Sequence, residues 1–254
     1  PPPPPPPPLF QAEDGIRDTS RGLVGSEMCI RDSFSPVYRV LEDIMGGAWG
    51  PLLSAHMRDD QYFPVAGSYG SNWRADPERA GAGTLLEHSI HDLDLLRRLF
   101  GEVQRVHCHT RETSGHPGIE DVAHVQFHHR GGHATSLASI WHNVRSRESS
   151  RMLEVFFERA RFTTEQDYFG SITMEVEDEP AQVLSQDEVL QRFMQLEGLD
   201  PAQEDLRSIG GLCDRRFLQA AIAGEPAAPS FSDALIAHEI VDACYRSAAQ
   251  FNGA

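Results

Sequence analysis

The sequence predicts an α+β fold built on a large, mostly antiparallel sheet flanked by helices. Strand-like stretches follow one another from about residue 102 to residue 178. Helical stretches stand before and after that run, and no βαβ unit repeats. No internal repeat interrupts the pattern.

The elements can be taken in order. Pro1–Pro8 can form only a stiff polyproline II rod, and Leu9 to Ser33 holds no sustained apolar period. The stretch "FQAEDGIRDTSRGLVGSEMCIRDS" resembles a translated sequencing adapter. Residues 1–33 are therefore expected to be a non-native or disordered leader, with native sequence starting at Phe34. "SPVYRVLEDIM" spaces Val37, Val40, Leu41 and Ile44 as a helix, ended by Gly46-Gly47. "GPLLSAHMRDDQYF" reads as a strand, and "PVAGSYGSNWRADPERAGAG" as a loop. "GTLLEHSIHDLDLLRRLF" then predicts one continuous helix to Phe100, stopped by Gly101. "EVQRVHCHTRE", "EDVAHVQFHH" and "HATSLASIWH" alternate as strands, the last two joined at Gly131-Gly132. "RMLEVFFERARFTTEQ" and "SITMEVED" extend this meander. Helices return at "SQDEVLQRFMQLEG", "DLRSIGGLCDRRFLQAAIAGE" and "SFSDALIAHEIVDACYRSAAQF", the last capped by Ser230 or Ser232.

Composition narrows the function classes. The formal net charge of the 254 residues is −16, which argues against nucleic acid as the main partner. All 22 Lys+Arg residues are arginine, so chemistry that needs a lysine amine has no candidate here. No apolar run is long enough to span a bilayer. Cys29, Cys108, Cys213 and Cys244 are scattered without a CxxC pair, so free thiols and a cytoplasmic location are expected.

Chemistry-bearing residues concentrate in "GAGTLLEHSIHDLD". Gly81-Ala82-Gly83 begins like a dinucleotide fingerprint. However, the preceding "WRADPERA" is polar, and Leu86 stands at the third glycine position. "EHSIH" is not the metalloprotease HExxH, because His88 and His91 are three residues apart. At i, i+4 stand Glu87 with His91 and His88 with Asp92. A carboxylate beside an imidazole fixes its tautomer and raises its basicity, a general acid/base arrangement. Ordinary surface pairs explain the same spacing. Tyr62, Tyr69, Trp73 and Arg74 sit in or beside the glycine-rich loop, where aromatic faces and a fixed cation suit a polyol or sugar acid. They would serve equally as loop anchors. His88 joins them as a candidate substrate contact, and Arg58 is a weaker one.

Twelve histidines raise a metal alternative. Strand alternation gathers His107, His109, His124 and His128 on one sheet face, yet no acidic or cysteine ligand keeps fixed spacing with them. A polar face open to solvent or to an oligomer partner is the simpler expectation, and no metal is assigned. A metal-dependent hydrolase or lyase, or a non-catalytic module binding through this face, stand as alternatives.

"AGAGTLLEHSIHDLDLLRRLFGEVQRV" closely resembles the GG-x-L-x-D/E-x-x-x-H-x-x-D segment of the Gfo/Idh/MocA oxidoreductases, and "SFSDALIAHEIVDACYRSAAQ" is similar to their final helix. The resemblance covers Phe34 to Ala254. It implies a Rossmann domain binding NAD(P), followed by an α+β domain whose open sheet face mediates oligomers. It also implies that His91 and Glu87 line the substrate pocket and move the proton of a substrate hydroxyl. Many members carry Asp at position 87. Asp94 matches a structural family aspartate.

This sequence departs from the family where the Rossmann domain's GxGxxG and Glu-Lys-Pro motifs would stand, since neither is present. The expectation is thus that residues 34–254 form the substrate-binding and oligomerisation domain of an NAD(P)-dependent oxidoreductase. Its substrate would be a sugar, cyclitol or related polyol. NAD or NADP is expected to bind the full-length parent and not this chain, which would be inactive alone. A homo-oligomer through the sheet face is expected, with no nucleic-acid or membrane partner. The helix at Val37–Ile44 and the final helix are expected to pack on the missing domain and to leave apolar surface uncovered.

Overall fold

A computed structural model of the chain describes residues 35–65, 70–166, 168–200, 209–226 and 228–252. The leader 1–33, Phe34 and Tyr69 lie outside the described residues.

Helix α1 (Pro36–Met45) starts where the sequence places it. Ser35 caps it by accepting from the Tyr38 amide at 3.4 Å, and Pro36 opens the first turn. Its stripe of Val37, Val40, Leu41 and Ile44 is buried against α5 (Gln186–Glu197) and the sheet. The expectation that α1 leaves apolar surface uncovered is therefore not met: its 3.6-residue stripe is satisfied within this domain. Helix α5 is held by a full capping box of Ser185 and Glu188 and ends at Gly198 in the left-handed region.

Eight strands form one sheet in the order β2-β3-β4-β1-β5-β6-β7-β8. They are β1 (Leu52–Tyr62), β2 (Val103–Arg111), β3 (Val122–His129), β4 (Ala134–His142), β5 (Ser150–Phe157), β6 (Ala160–Thr164), β7 (Ile172–Val176) and β8 (Gln182–Leu184). All pairs are antiparallel except β1 with β4. The parallel pair follows from insertion: β1 is followed by helices and the β2–β4 meander, which returns to β1's other edge before β5. The short edge strand β8 had no sequence signal of its own.

Alternation gives the sheet two unlike faces. Ala55 and Met57 of β1, Val125 of β3, Leu137 of β4, Leu153 of β5 and Phe162 of β6 point into the core beneath α1, α4 (Ile90–Phe100), α5 and α7 (Phe231–Asn252). The opposite face exposes His56, His107, His109, His124 and Gln126. His109 and His124 are directly opposed across β2 and β3, and the His107 and His128 rings meet edge to face at 5.6 Å. Among the described residues, no group of three or more His, Cys, Asp or Glu side chains is placed to hold a metal ion.

Helix α7 begins at a capping box in which the Ser230 amide donates to Asp233 at 2.8 Å. Its Cys244 packs, buried, against β2, where Cys108 is also buried; both thiols are free. Helix α6 (Ile209–Ala223) does leave apolar side chains outward, Phe217, Leu218 and Ile222 among them. No described helix is long and apolar enough to cross a membrane.

The largest departure from the sequence expectation lies in the chemistry-bearing segment. It is not one helix. A single-turn helix α3 (Thr84–Glu87) ends at His88, and α4 starts only at Ile90. The amides of both His88 and Ser89 converge on the Thr84 carbonyl, at 3.1 and 2.9 Å. This one-residue widening rotates α4 relative to α3. It is pinned from the sheet, because the Thr84 and Ser89 hydroxyls both meet the Ser139 hydroxyl at 2.7 Å.

Candidate active site

The site is seated by a glycine and a buried carboxylate. Gly83 lies against the backbone of Glu120, and a Cβ there would fall 1.9 Å from the Glu120 carbonyl oxygen. The Thr84 amide donates to that carbonyl at 2.8 Å. The Glu120 carboxylate accepts from the Gly83 amide at 2.7 Å, the Leu85 amide at 2.9 Å and the Tyr245 hydroxyl at 2.8 Å. Burial pushes the Glu120 carboxyl above the usual carboxylate range, against the opposing pull of these donors. Burial and the neighbouring Glu120 push the Tyr245 phenol far up. The Gly83 and Leu85 amides at the start of α3 are thus already occupied by a carboxylate, and the Thr84 amide by a backbone carbonyl. Gly81-Ala82-Gly83 does not fit a dinucleotide phosphate, in line with the rejection of the fingerprint on sequence grounds.

This seat presents Glu87 to the loop before it. A 3-10 turn (Asn72–Ala75) and a short helix α2 (Pro77–Ala80) order part of what the sequence marks as loop. The Arg74 Nε donates to Glu87 Oε1 at 2.5 Å, its NH1 donates to the Ser71 hydroxyl at 2.9 Å, and its guanidinium lies over the Trp73 ring at 4.8 Å. Trp73, Arg74 and Glu87 are therefore brought together, and all three remain partly accessible. Glu87 is engaged by Arg74, a partner that the i, i+4 spacing does not reveal.

His88 turns toward the sheet. Its Nε2 lies 3.1 and 2.9 Å from the two carboxylate oxygens of Asp59 on β1. Arg151 of β5 donates from Nε to Asp59 at 3.1 Å and lies 3.3 Å from Asp92 of α4. The Asp92 carboxylate thus faces Arg151, where the sequence suggested His88. Burial alone would raise the Asp59 carboxyl, but the His88 ring and the Arg151 guanidinium outweigh it and hold Asp59 well below the usual carboxylate range.

His91 is buried in the first turn of α4. Asp94 is also buried, 3.3 Å from Arg97, and burial raises its carboxyl despite that guanidinium. Tyr62 ends β1 in the same alternation phase as Arg58 and Asp60, the open-face phase, away from Asp59. Arg58 pairs with Asp60 at 2.8 Å on that face. The sequence reading missed Asp59, Arg151 and Glu120. One signal existed: Asp59 occupies the inward phase of Ala55 and Met57, where a charge must find a buried partner.

The eight-stranded, mostly antiparallel sheet with helices over one face matches the C-terminal domain of Gfo/Idh/MocA oxidoreductases. Residues 38–163 match the profile of the GFO/IDH/MocA C-terminal domain, and the chain belongs to the Gfo/Idh/MocA oxidoreductase family. Among solved structures, it is similar to levoglucosan dehydrogenase in complex with NADH, at 19% identity and a TM-score of 0.69 over 88% of this chain and 63% of that one. It is similar to aldose-aldose oxidoreductase from Caulobacter crescentus complexed with glycerol, at 17% identity and a TM-score of 0.67, over 87% of this chain and 60% of that one. An inositol dehydrogenase homolog from Azotobacter vinelandii complexed with NAD+ aligns at 18% identity and a TM-score of 0.61, over 87% of this chain and 62% of that one. The chain thus spans about three fifths of the length of these structures. No curated protein sequence matches it significantly.

Proposed function

We propose that this chain supplies the substrate pocket and the proton-handling side chains of an NAD(P)-dependent oxidoreductase acting on a sugar, cyclitol or related polyol. The observation that carries the proposal is the meeting of Trp73, Arg74 and Glu87 at the mouth of the segment that also holds His91. An indole face packs on the C–H face of a sugar ring. A guanidinium already fixed by Ser71 and Glu87 offers its remaining N–H groups to hydroxyl oxygens with little further loss of entropy. Glu87 accepts from a second hydroxyl, and His91 takes the proton of the reacting one.

In this reading a nicotinamide, when bound, takes the hydride. Its dinucleotide is assigned to a Rossmann domain and not to residues 34–254, since Gly81-Ala82-Gly83 is filled by Glu120. NAD and NADP are equally compatible with the side chains described here. The chain alone is then inactive. The glycerol, levoglucosan and inositol named with the structural neighbours support the polyol class. A second copy of the chain on the open histidine-bearing face, and a cytoplasmic setting in keeping with the free Cys108 and Cys244, complete the proposal.

Saturation-transfer NMR of the full chain with a panel of polyols tests it. At least one polyol should bind, and Arg74→Ala and Glu87→Ala should each abolish the transfer while circular dichroism stays native. A panel with no binder, or binding indifferent to both substitutions, would overturn the assignment.

A further inference from the structure

Three charged groups and an imidazole, from four parts of the fold, meet behind the proposed pocket: Asp59 from β1, Arg151 from β5, Asp92 from α4, and His88 from the turn that separates α3 and α4. Asp59 is 1% exposed and the Arg151 side chain 9%, while the His88 side chain is 19% exposed. The cluster is thus closed at its base and open only through the imidazole. An ion pair serving stability alone gains little from such burial, because desolvation offsets most of the attraction. A carboxylate that orients a reactive ring is a different matter, since its value lies in the tautomer that it selects.

The tautomer follows from the geometry. The His88 ring and the Arg151 guanidinium favour the ionised form of Asp59 against its burial, and an ionised carboxylate only accepts hydrogen bonds. The His88 nitrogen facing it, Nε2, must therefore carry the proton. In the neutral ring the lone pair is then on Nδ1, the nitrogen turned away from Asp59. The ring belongs to the residue that follows Glu87 in the chain, and it stands three residues before His91.

We propose that His88 is a further acid–base group of this site, with Asp59 and Arg151 as its positioning residues. The proposal rests on the polyol reading above. In the proton step the O–H bond of the reacting hydroxyl breaks, its electron pair stays on oxygen, and the proton, when His91 does not take it, forms a new bond to His88 Nδ1. The ring is then an imidazolium, stabilised by the Asp59 carboxylate against which it lies. Its partial exposure lets it return the proton to solvent, a route the buried His91 does not have.

The test is ring-nitrogen NMR on the full chain labelled with 15N-histidine, under alkaline conditions where imidazoles are neutral. The His88 signals, assigned by their loss in His88→Gln, should show a single tautomer with Nε2 protonated and Nδ1 bare. Asp59→Asn, whose amide can donate as well as accept, should give loss of the single-tautomer signature, and Asp59→Glu should restore it. A wild-type ring protonated at Nδ1, or averaging between tautomers, overturns the proposal, and this measurement needs no variant of Asp59 to fold. Addition of a polyol that binds in the saturation-transfer experiment should shift the His88 Nδ1 signal, in wild type and in His91→Asn alike. A bound polyol that leaves that signal unmoved also overturns it. If no polyol binds, the functional reading fails separately, and the tautomer result alone decides the Asp59–His88 pair.

Discussion

Replacing Gly83 with alanine should be among the most damaging single-methyl changes in this domain. Its φ of −98° lies outside the left-handed region, and the cost developed here is one of space. The added Cβ would sit 1.9, 2.5 and 2.7 Å from the oxygen, nitrogen and carbon of the Glu120 backbone, atoms that cannot swing aside as a side chain can. Reaching an ordinary contact of 3.4 Å requires the two segments to part by roughly 1.5 Å. Such a shift would break the bonds of the Thr84, Gly83 and Leu85 amides to Glu120, now 2.7–2.9 Å long. Overpacking costs about 1–3 kcal/mol and each bond to a buried carboxylate about 1.5–3 kcal/mol; with partial relaxation, a loss of about 3–5 kcal/mol follows. Gly132→Ala is the control. Its φ is +87° with nothing within 4 Å of a Cβ, so only the backbone penalty of about 1–2 kcal/mol applies. Urea unfolding of both variants by circular dichroism measures the difference. A Gly83→Ala protein no less stable than Gly132→Ala would refute the packing argument.

Tyr245→Phe should cost about 1.5–3 kcal/mol in the same assay, because it removes one of three donors from the buried Glu120 carboxylate. The Asp59 carboxyl is held below its unfolded value of about 3.9. Its contribution to stability is therefore fully present above that pH and lost as the pH falls through the folded value. Wild-type stability should drop more steeply below about pH 4 than that of Asp59→Asn, as followed by thermal melts across an acid series. NADH fluorescence should be unchanged by the chain at micromolar concentration, and saturable enhancement would place a dinucleotide site within these residues.

What was legible in the sequence was local. The apolar period of α1, the helical stretch that forms α5 and the alternation of β3 and β4 each lie within one element, and each appears where it was expected. The break at His88–Ser89 was not legible, because Ser139, fifty residues on, holds the Ser89 hydroxyl. The propensity of "GTLLEHSIHDLDLLRRLF" favours one helix, and a tertiary hydrogen bond overrides it. The site divides in the same way. Trp73, Arg74, Glu87, His88 and His91 are marked by residue type and proximity in the chain. Their partners are not, since Glu87 is joined to Arg74 from a loop, His88 to a residue 29 positions earlier, and Asp59 to one 92 positions later. Strand order decides those meetings, and the parallel pairing of β1 with β4 has no local signature.

The proposal that this chain is the substrate half of a polyol oxidoreductase is tested most directly by NAD(P)H absorbance. The measurement supplies the chain with a family dinucleotide-binding domain, NAD+ or NADP+, and a polyol that it binds. Polyol-dependent NAD(P)H formation is expected, with His91→Asn lowering kcat about 10²–10⁴-fold and leaving polyol binding intact. An assembled, cofactor-loaded protein that binds the polyol without forming NAD(P)H, or that turns over equally well without His91, would contradict it.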